Sequence, residues 1–595
     1  MRTIKYIRLL IISALSLSVL SCDITLYPED KVTPDSYFKT ETDLELFTNT
    51  FYTYLPGEGV YADEADIIIH AQLNKAVSGQ RVMPETSSGI DGWGWGLLRQ
   101  INFYLDNSYR CEDVDARNHY DGLARFFRAY FYYRKVCVYG DVPWYDQVIG
   151  SADKELLNKP RDSRKFVMSK VLEDLDFAIA NMRDTKEIYR VTKWTALALK
   201  SRIMLFEGTF RKYHELGDWE ECLEECVKAS EEFINTSGYG LYTEGNTPYA
   251  TLFTTLNAPE LSAEVILARD YDYGMGLIHK AQIYTNSPGS GCGGATKRLV
   301  DAYLMKNGTR FTDKPGYQTM SFIEECKDRD PRMAQTLRTP NYQINGKSVL
   351  PNLHAAKLGY QLTKYYVSQE YDGHSEIDLP LFRTAEVYLN LAEAKAELGT
   401  LEQKDLDETV NKLRTRAKMT GMMNLVQANS DPDEWLMTAQ YGYPNLATNH
   451  GKYKNTKNLG VILEIRRERT IELVMEGHRY YDIMRWKEGK VFEQPFIGMY
   501  IPGPGAYDFN GDGIKDFNFT TTNDPGDPNA GAEEFKLGEN LYVTGGSYGN
   551  LVMHANLTRV WNENRDYLYP LPREDRKLTN GILTQNPGWD DGLGF

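Results

Sequence analysis

Apolar side chains recur at helical spacing in five separate stretches of this chain, and that periodicity limits its architecture more than any other feature. Leu123, Phe126, Phe127, Tyr130 and Phe131 follow an i, i+3, i+4, i+7, i+8 pattern, which predicts a helix halting at Gly140 and Pro143. Met168, Leu172, Leu175, Ile179 and Met182 line a second helix. Trp194, Leu197, Ala198, Ser201 and Leu205 line a third, with small residues that allow close approach. Residues 219–233 and 381–398 supply two more, and 34–54 reads as a capped helix ending at Pro56-Gly57. Gly-, Asn- and Tyr-rich stretches separate them, at 57–95, 236–296, 340–378, 420–458 and 495–550. Loops that long are usually functional or folded locally.

Short helices in succession predict a mainly α fold: a tetratricopeptide-like solenoid scaffold with long irregular loops and little β. The strict repeat consensus is absent. Two regions, 34–260 and 261–595, are expected to pack as one body behind a signal peptide at 1–21 and a tether at 22–33.

The first residues carry a different message. Arg2, Lys5 and Arg8 precede an apolar run at 9–20, too short to span a bilayer core of roughly 30 Å. It ends Val19-Leu20-Ser21-Cys22, which resembles the lipobox of bacterial lipoproteins and makes Cys22 the expected acylated N-terminus. Acyl chains, at roughly 0.8 kcal/mol per buried CH₂, then form the only membrane attachment that the sequence offers. The formal charge is −16, and about −19 without the leader's three cations, so nucleic acid is not an expected partner. Of seven cysteines only Cys22 is informative; Cys222 and Cys226, four apart on a helix, read as packing residues.

Three segments invite a chemical reading. Residues 87–96 read SSGIDGWGWG, placing Trp93 and Trp95 among glycines where flat rings can meet sugar rings. The competing reading has one of them capping the helix that follows. Residues 289–294 satisfy G-x-G-x-x-G, but no apolar strand precedes them, so a flexible loop before a helix at Thr296 is expected and dinucleotide binding is not. Asp508, Asn510, Asp512 and Asp516 match positions 1, 3, 5 and 9 of a calcium loop with Gly513 at 6, yet Phe519 stands where the bidentate Glu belongs. A truncated structural calcium site and a metal-free loop of Asx turns both remain open. No catalytic cofactor is implied.

The chain resembles the SusD/RagB family of outer-membrane nutrient-binding lipoproteins. The resemblance begins at Cys22 and Tyr27-Pro28, and runs through Arg125 to Tyr130, Tyr139 to Pro143 and Val191 to Trp194. It continues in Arg329-Asp330-Pro331-Arg332, Leu391 to Ala394, Glu468-Arg469, Glu472 and Glu476 to Arg479. Asp482, Arg485-Trp486, Tyr569 to Pro572 and Gln585 to Trp589 complete it. On a helix at 461–487 the pairs Arg469–Glu472, Glu476–Arg479 and Asp482–Arg485 are each three apart, which predicts ion pairs on shared faces that clamp the helix to the scaffold.

The resemblance implies a cell-surface protein of the outer membrane that captures glycan and caps a SusC-like TonB-dependent transporter as its lid. It is not expected to be an enzyme. A peptide-binding RagB-type lipoprotein is the alternative, and a surface glycosidase a more distant one. It also implies an aromatic surface site, for which Trp93, Trp95, Tyr271, Tyr273, Tyr284 and Arg81 are the candidates. Arg81 could hydrogen-bond hydroxyls, but an exposed, solvated arginine is the expectation.

Overall fold

A computed structural model describes residues 37–87 and 92–595. Cys22 and the leader lie outside the described residues.

The periodic stretches form the helices they predict. Asp113 caps Val114–Tyr139 by accepting from the Ala116 amide, and Gly140 ends it with φ 72°, a conformation open to glycine. All five residues of its predicted stripe are buried. Beside it run Arg164–Asn181, capped by Ser163, then Lys193–Tyr213, Glu220–Thr236 and Thr384–Leu398. Small residues let these helices approach closely. A side chain added at Gly208 would meet Leu223 at 2.6 Å. Buried Ser201 bonds Ser230 at 2.8 Å and accepts from Asn390 at 3.0 Å. Cys222 and Cys226 pack in this core as free thiols.

Strands are short and scattered. Val265–Arg269 pairs antiparallel with Leu379–Arg383, and Phe496–Ile501 with Gly549–Met553. Leu381 therefore sits in a strand and not in the helix predicted from 381, which starts at Thr384. The 289–294 glycines are not a flexible loop either. Cys292–Ala295 is a buried strand paired with Ile68–His70, and a side chain on Gly293 would strike Met553 at 2.4 Å.

The 461–487 segment is two helices, Leu459–Glu472 and Arg479–Arg485, broken where Met475 and Gly477 take positive φ. This break redirects the charges. Asp482–Arg485 is the expected three-apart pair, at 2.8 Å. Glu472 instead meets Arg332 at 2.9 Å, Arg383 at 2.7 Å, and Arg416. Glu476 binds Arg383 and Lys364, each at 2.7 Å. Arg469 reaches Asp482 and Arg479 reaches Asp66. These groups are buried, and a buried charge needs several hydrogen-bonding partners, which one helix face cannot provide. Further pairs tie helix 193–213 to helix 384–398: Arg202 to Glu386 and Lys212 to Glu397.

The network sets an acid dependence. Burial alone would raise the Glu472 carboxyl; Arg416, Arg383 and Arg332 more than reverse that and hold it well below the usual range. Glu393, Glu397 and Glu476 are likewise buried yet lowered by their cations. Their contribution is present above the ordinary carboxylate pKa of about 4.3 and is lost as pH falls through the lowered values. Asp63, Glu64 and Glu488 run the other way: desolvation pushes each up to about 7. Their contribution is full below their ordinary pKa and is lost as pH rises to 7. Melting temperature followed from pH 3 to pH 8 is expected to peak near about pH 5. A monotonic rise to pH 8 would contradict this balance.

Candidate functional site

The scaffold delivers an aromatic cleft through a relay of buried polar groups. Asp174 of the 164–181 helix holds Arg128 of the 114–139 helix by two bonds of 2.7 Å. Arg128 donates to the Asn102 side-chain oxygen at 3.3 Å, and the Asn102 amide donates to the carbonyls of Tyr145 and Gln147. Tyr132 accepts from the Tyr145 amide at 2.6 Å and stacks on Trp144 at 4.3 Å. Helix Gly96–Leu105 and the segment after Pro143 are thereby fixed relative to each other.

Between them opens a cleft of about 650 Å³, closed on its third side by the C-terminal helix Arg573–Leu578. Trp95 sits at the N-terminus of helix 96–105, its carbonyl accepting from the Arg99 amide at 3.1 Å. The half-buried ring is wedged against Phe131 at 5.7 Å and stands nearly perpendicular to Tyr145, also at 5.7 Å. Two half-exposed rings at right angles thus meet at the cleft, with Lys159 ion-paired to Asp162 at its edge. Apolar contact with flat rings is what this arrangement offers.

The other candidates are dispersed. Trp93 lines the cleft but is 3% exposed, edge-on to Trp95 and to Tyr139 at 4.9 Å, so it supports the neighbouring ring instead of presenting its own face. Arg81 is buried, contrary to the expectation of a solvated side chain. It donates to the Asp566 carbonyl and Tyr480 hydroxyl, and stacks 4.3 Å from the Tyr569 ring. Trp93 and Arg81 share a second cavity, of about 590 Å³. Tyr284 is also buried, its hydroxyl bonded to His70. Tyr271 is half-buried near Gly57, and Tyr273 alone is openly exposed, 4.4 Å from His374. Neither tyrosine lines the cleft. Sequence reading missed Tyr145, Asn102, Leu157 and Leu578, of which only Tyr145, in the aromatic pair after Pro143, left a signal.

The Asp508–Asp516 loop closes on its own backbone. Asp508 accepts from the amides of Asn510, Gly511 and Gly513, Asp512 from Ile514, and Asp516 from Phe509. These contacts are Asx turns, and among the described residues no three acidic, histidine or cysteine side chains are grouped to hold a metal.

The helical scaffold thus bears an aromatic cleft built on helix 96–105, the segment after Pro143 and the C-terminal helix. A family model described as the SusD family matches residues 264–589, over half the chain, and a second, described as starch-binding and associating with the outer membrane, matches 96–205. The chain belongs to the SusD family. SusD-like protein P25 of Formosa agariphila is 23% identical over 77% of this chain and 85% of its own length. SusD-like protein P2 of the same organism is 23% identical over 97% and 98%. A SusD-like carbohydrate-binding protein from Bacteroides fragilis superimposes with a TM-score of 0.65 at 20% identity, covering 91% of this chain and 98% of its own.

Proposed function

We propose that the chain is a surface lipoprotein of the outer membrane that captures glycan and passes it to a SusC-like TonB-dependent transporter, serving as the transporter's lid. The perpendicular Trp95 and Tyr145 rings at an open cleft carry this reading. Ring stacking worth roughly 0.5–1.5 kcal/mol per aromatic gives modest affinity, which suits cargo that must be released inward. Acylated Cys22 is the anchor; no described helix is long and apolar enough to cross a membrane. A tether to the membrane raises the effective concentration at a barrel mouth. The protein acts by binding and not by catalysis, and the buried carboxylates Glu472, Glu476 and Glu393 bridge to arginines and serve the scaffold.

Isothermal titration of the mature chain against neutral and acidic polysaccharides and mixed peptides tests this. Saturable binding to a polysaccharide is expected. Binding confined to peptides, or catalysed loss of the glycan during overnight incubation, would replace the reading.

A further inference from the structure

Most polar groups lining the cleft that holds Trp95 are already bonded within the protein and leave little for a sugar's hydroxyls. Asn102 spends both amide hydrogens and its oxygen within the protein. The Tyr145 hydroxyl donates to the Leu156 carbonyl at 3.0 Å, and Asn158 donates to the Lys154 carbonyl at 2.7 Å. Lys159 is held by the Trp144 carbonyl and Asp162, and Thr579 donates back into its own helix. Arg99 donates to the Ile149 carbonyl at 2.6 Å through one of its guanidinium nitrogens. Gln147, the remaining Arg99 N–H groups and Asp575, whose carboxyl burial pushes up, are the lining groups with hydrogen-bonding capacity left over.

The remaining lining is apolar, and part of it faces solvent. Leu578, on the C-terminal helix, is 82% exposed and Leu157, on the segment after Pro143, 47% exposed, while Leu98, Pro143 and Leu583 are buried. Exposed leucines around a concave site point to a ligand that covers them. A fully hydroxylated sugar pushed against them would lose water from hydroxyls without regaining partners, which is costly. Methyl groups reverse that account.

We propose that this cleft selects glycans whose sugars carry methyl groups, as 6-deoxyhexoses or O-acetyl esters, seated between Leu157 and Leu578 beside the Trp95 ring. This rests on the glycan reading above. Each methyl buried there contributes about fourfold in affinity.

The test compares matched pairs by titration: D-rhamnose against D-mannose oligosaccharides of the same linkage, and an O-acetylated xylan against the same xylan after alkaline deacetylation. The methyl-bearing member of a pair is expected to bind at least about fourfold more tightly. The two pairs distinguish the deoxy from the ester source. Leu157→Asn with Leu578→Asn, both at exposed positions, is expected to abolish that preference with an unchanged melting temperature. Equal affinity within both pairs overturns the selectivity and leaves glycan capture standing. Binding to apolar peptides with no glycan bound at all overturns both.

Discussion

Replacing Glu472 by alanine is expected to cost about 3–5 kcal/mol of stability, the range found when one partner of a buried ion pair is removed. Glu472 is fully buried and shared by Arg332, Arg383 and Arg416, so its loss strands three guanidinium groups from separate parts of the chain. Arg383 and Arg416 would retain Glu264, at 2.9 and 3.2 Å. Arg332 would retain Asp330 and Glu468, at 2.7 and 2.6 Å. The cost is therefore one of excess positive charge more than of missing hydrogen bonds. Glu472→Gln separates the two: it keeps the shape and one acceptor but not the charge, and is expected to recover only part of the loss. Lys228→Ala removes an exposed pair with Glu225 and is expected to change stability by less than about 0.5 kcal/mol. Thermal melting of the three variants decides. A Glu472→Ala protein that melts with the parent would show that the neighbouring carboxylates absorb the charge, and the clamp would have to be placed elsewhere.

That clamp also marks where sequence reading stops. Helix 114–139 was legible because its signal is local: a stripe of apolar residues with a glycine and a proline at its end; the Asp113 cap at its start was not read. The charged residues of 468–485 were legible as structural, since carboxylates and arginines crowded among apolar neighbours have little else to do. Their partners were not. Arg332 and Glu472 are 140 residues apart, and no spacing rule reaches that far. The turn at Met475 and Gly477, which sends each charge to a different neighbour, has no proline to announce it. Leu379–Arg383 failed for another reason: a five-residue apolar run directly before a helix looks like the helix's first turn, and only pairing with Val265–Arg269 makes it a strand. At the site, glycines around two tryptophans singled out the 87–96 segment but could not say which ring faces out. The walls contributed by Leu157 and Leu578 come from surface leucines, a residue type that draws no notice until a fold gathers it into one place.

The two tryptophans separate into different roles, and substituting each tests the site most directly. Trp93→Ala is expected to lower stability by about 3–5 kcal/mol, the usual cost of removing a large buried ring. Its ring is nearly inaccessible and packs on Tyr139 and under Trp95. Trp95→Ala is expected to cost much less stability, because its ring is already half open to the cleft, and to lower glycan affinity by up to about tenfold. Tyr145→Ala should lower affinity by a similar factor. The Trp95–Tyr145 double change should fall short of the product, since each ring is held in place by the other and residues in contact do not add. Trp95→Phe keeps a flat face in the same wedge against Phe131 and is expected to restore part of the affinity. The pattern matters more than either value. If Trp95→Ala lowered the melting temperature as far as Trp93→Ala while glycan binding persisted, both rings would belong to the core, and the binding surface would have to be sought at the exposed Tyr273 ring instead.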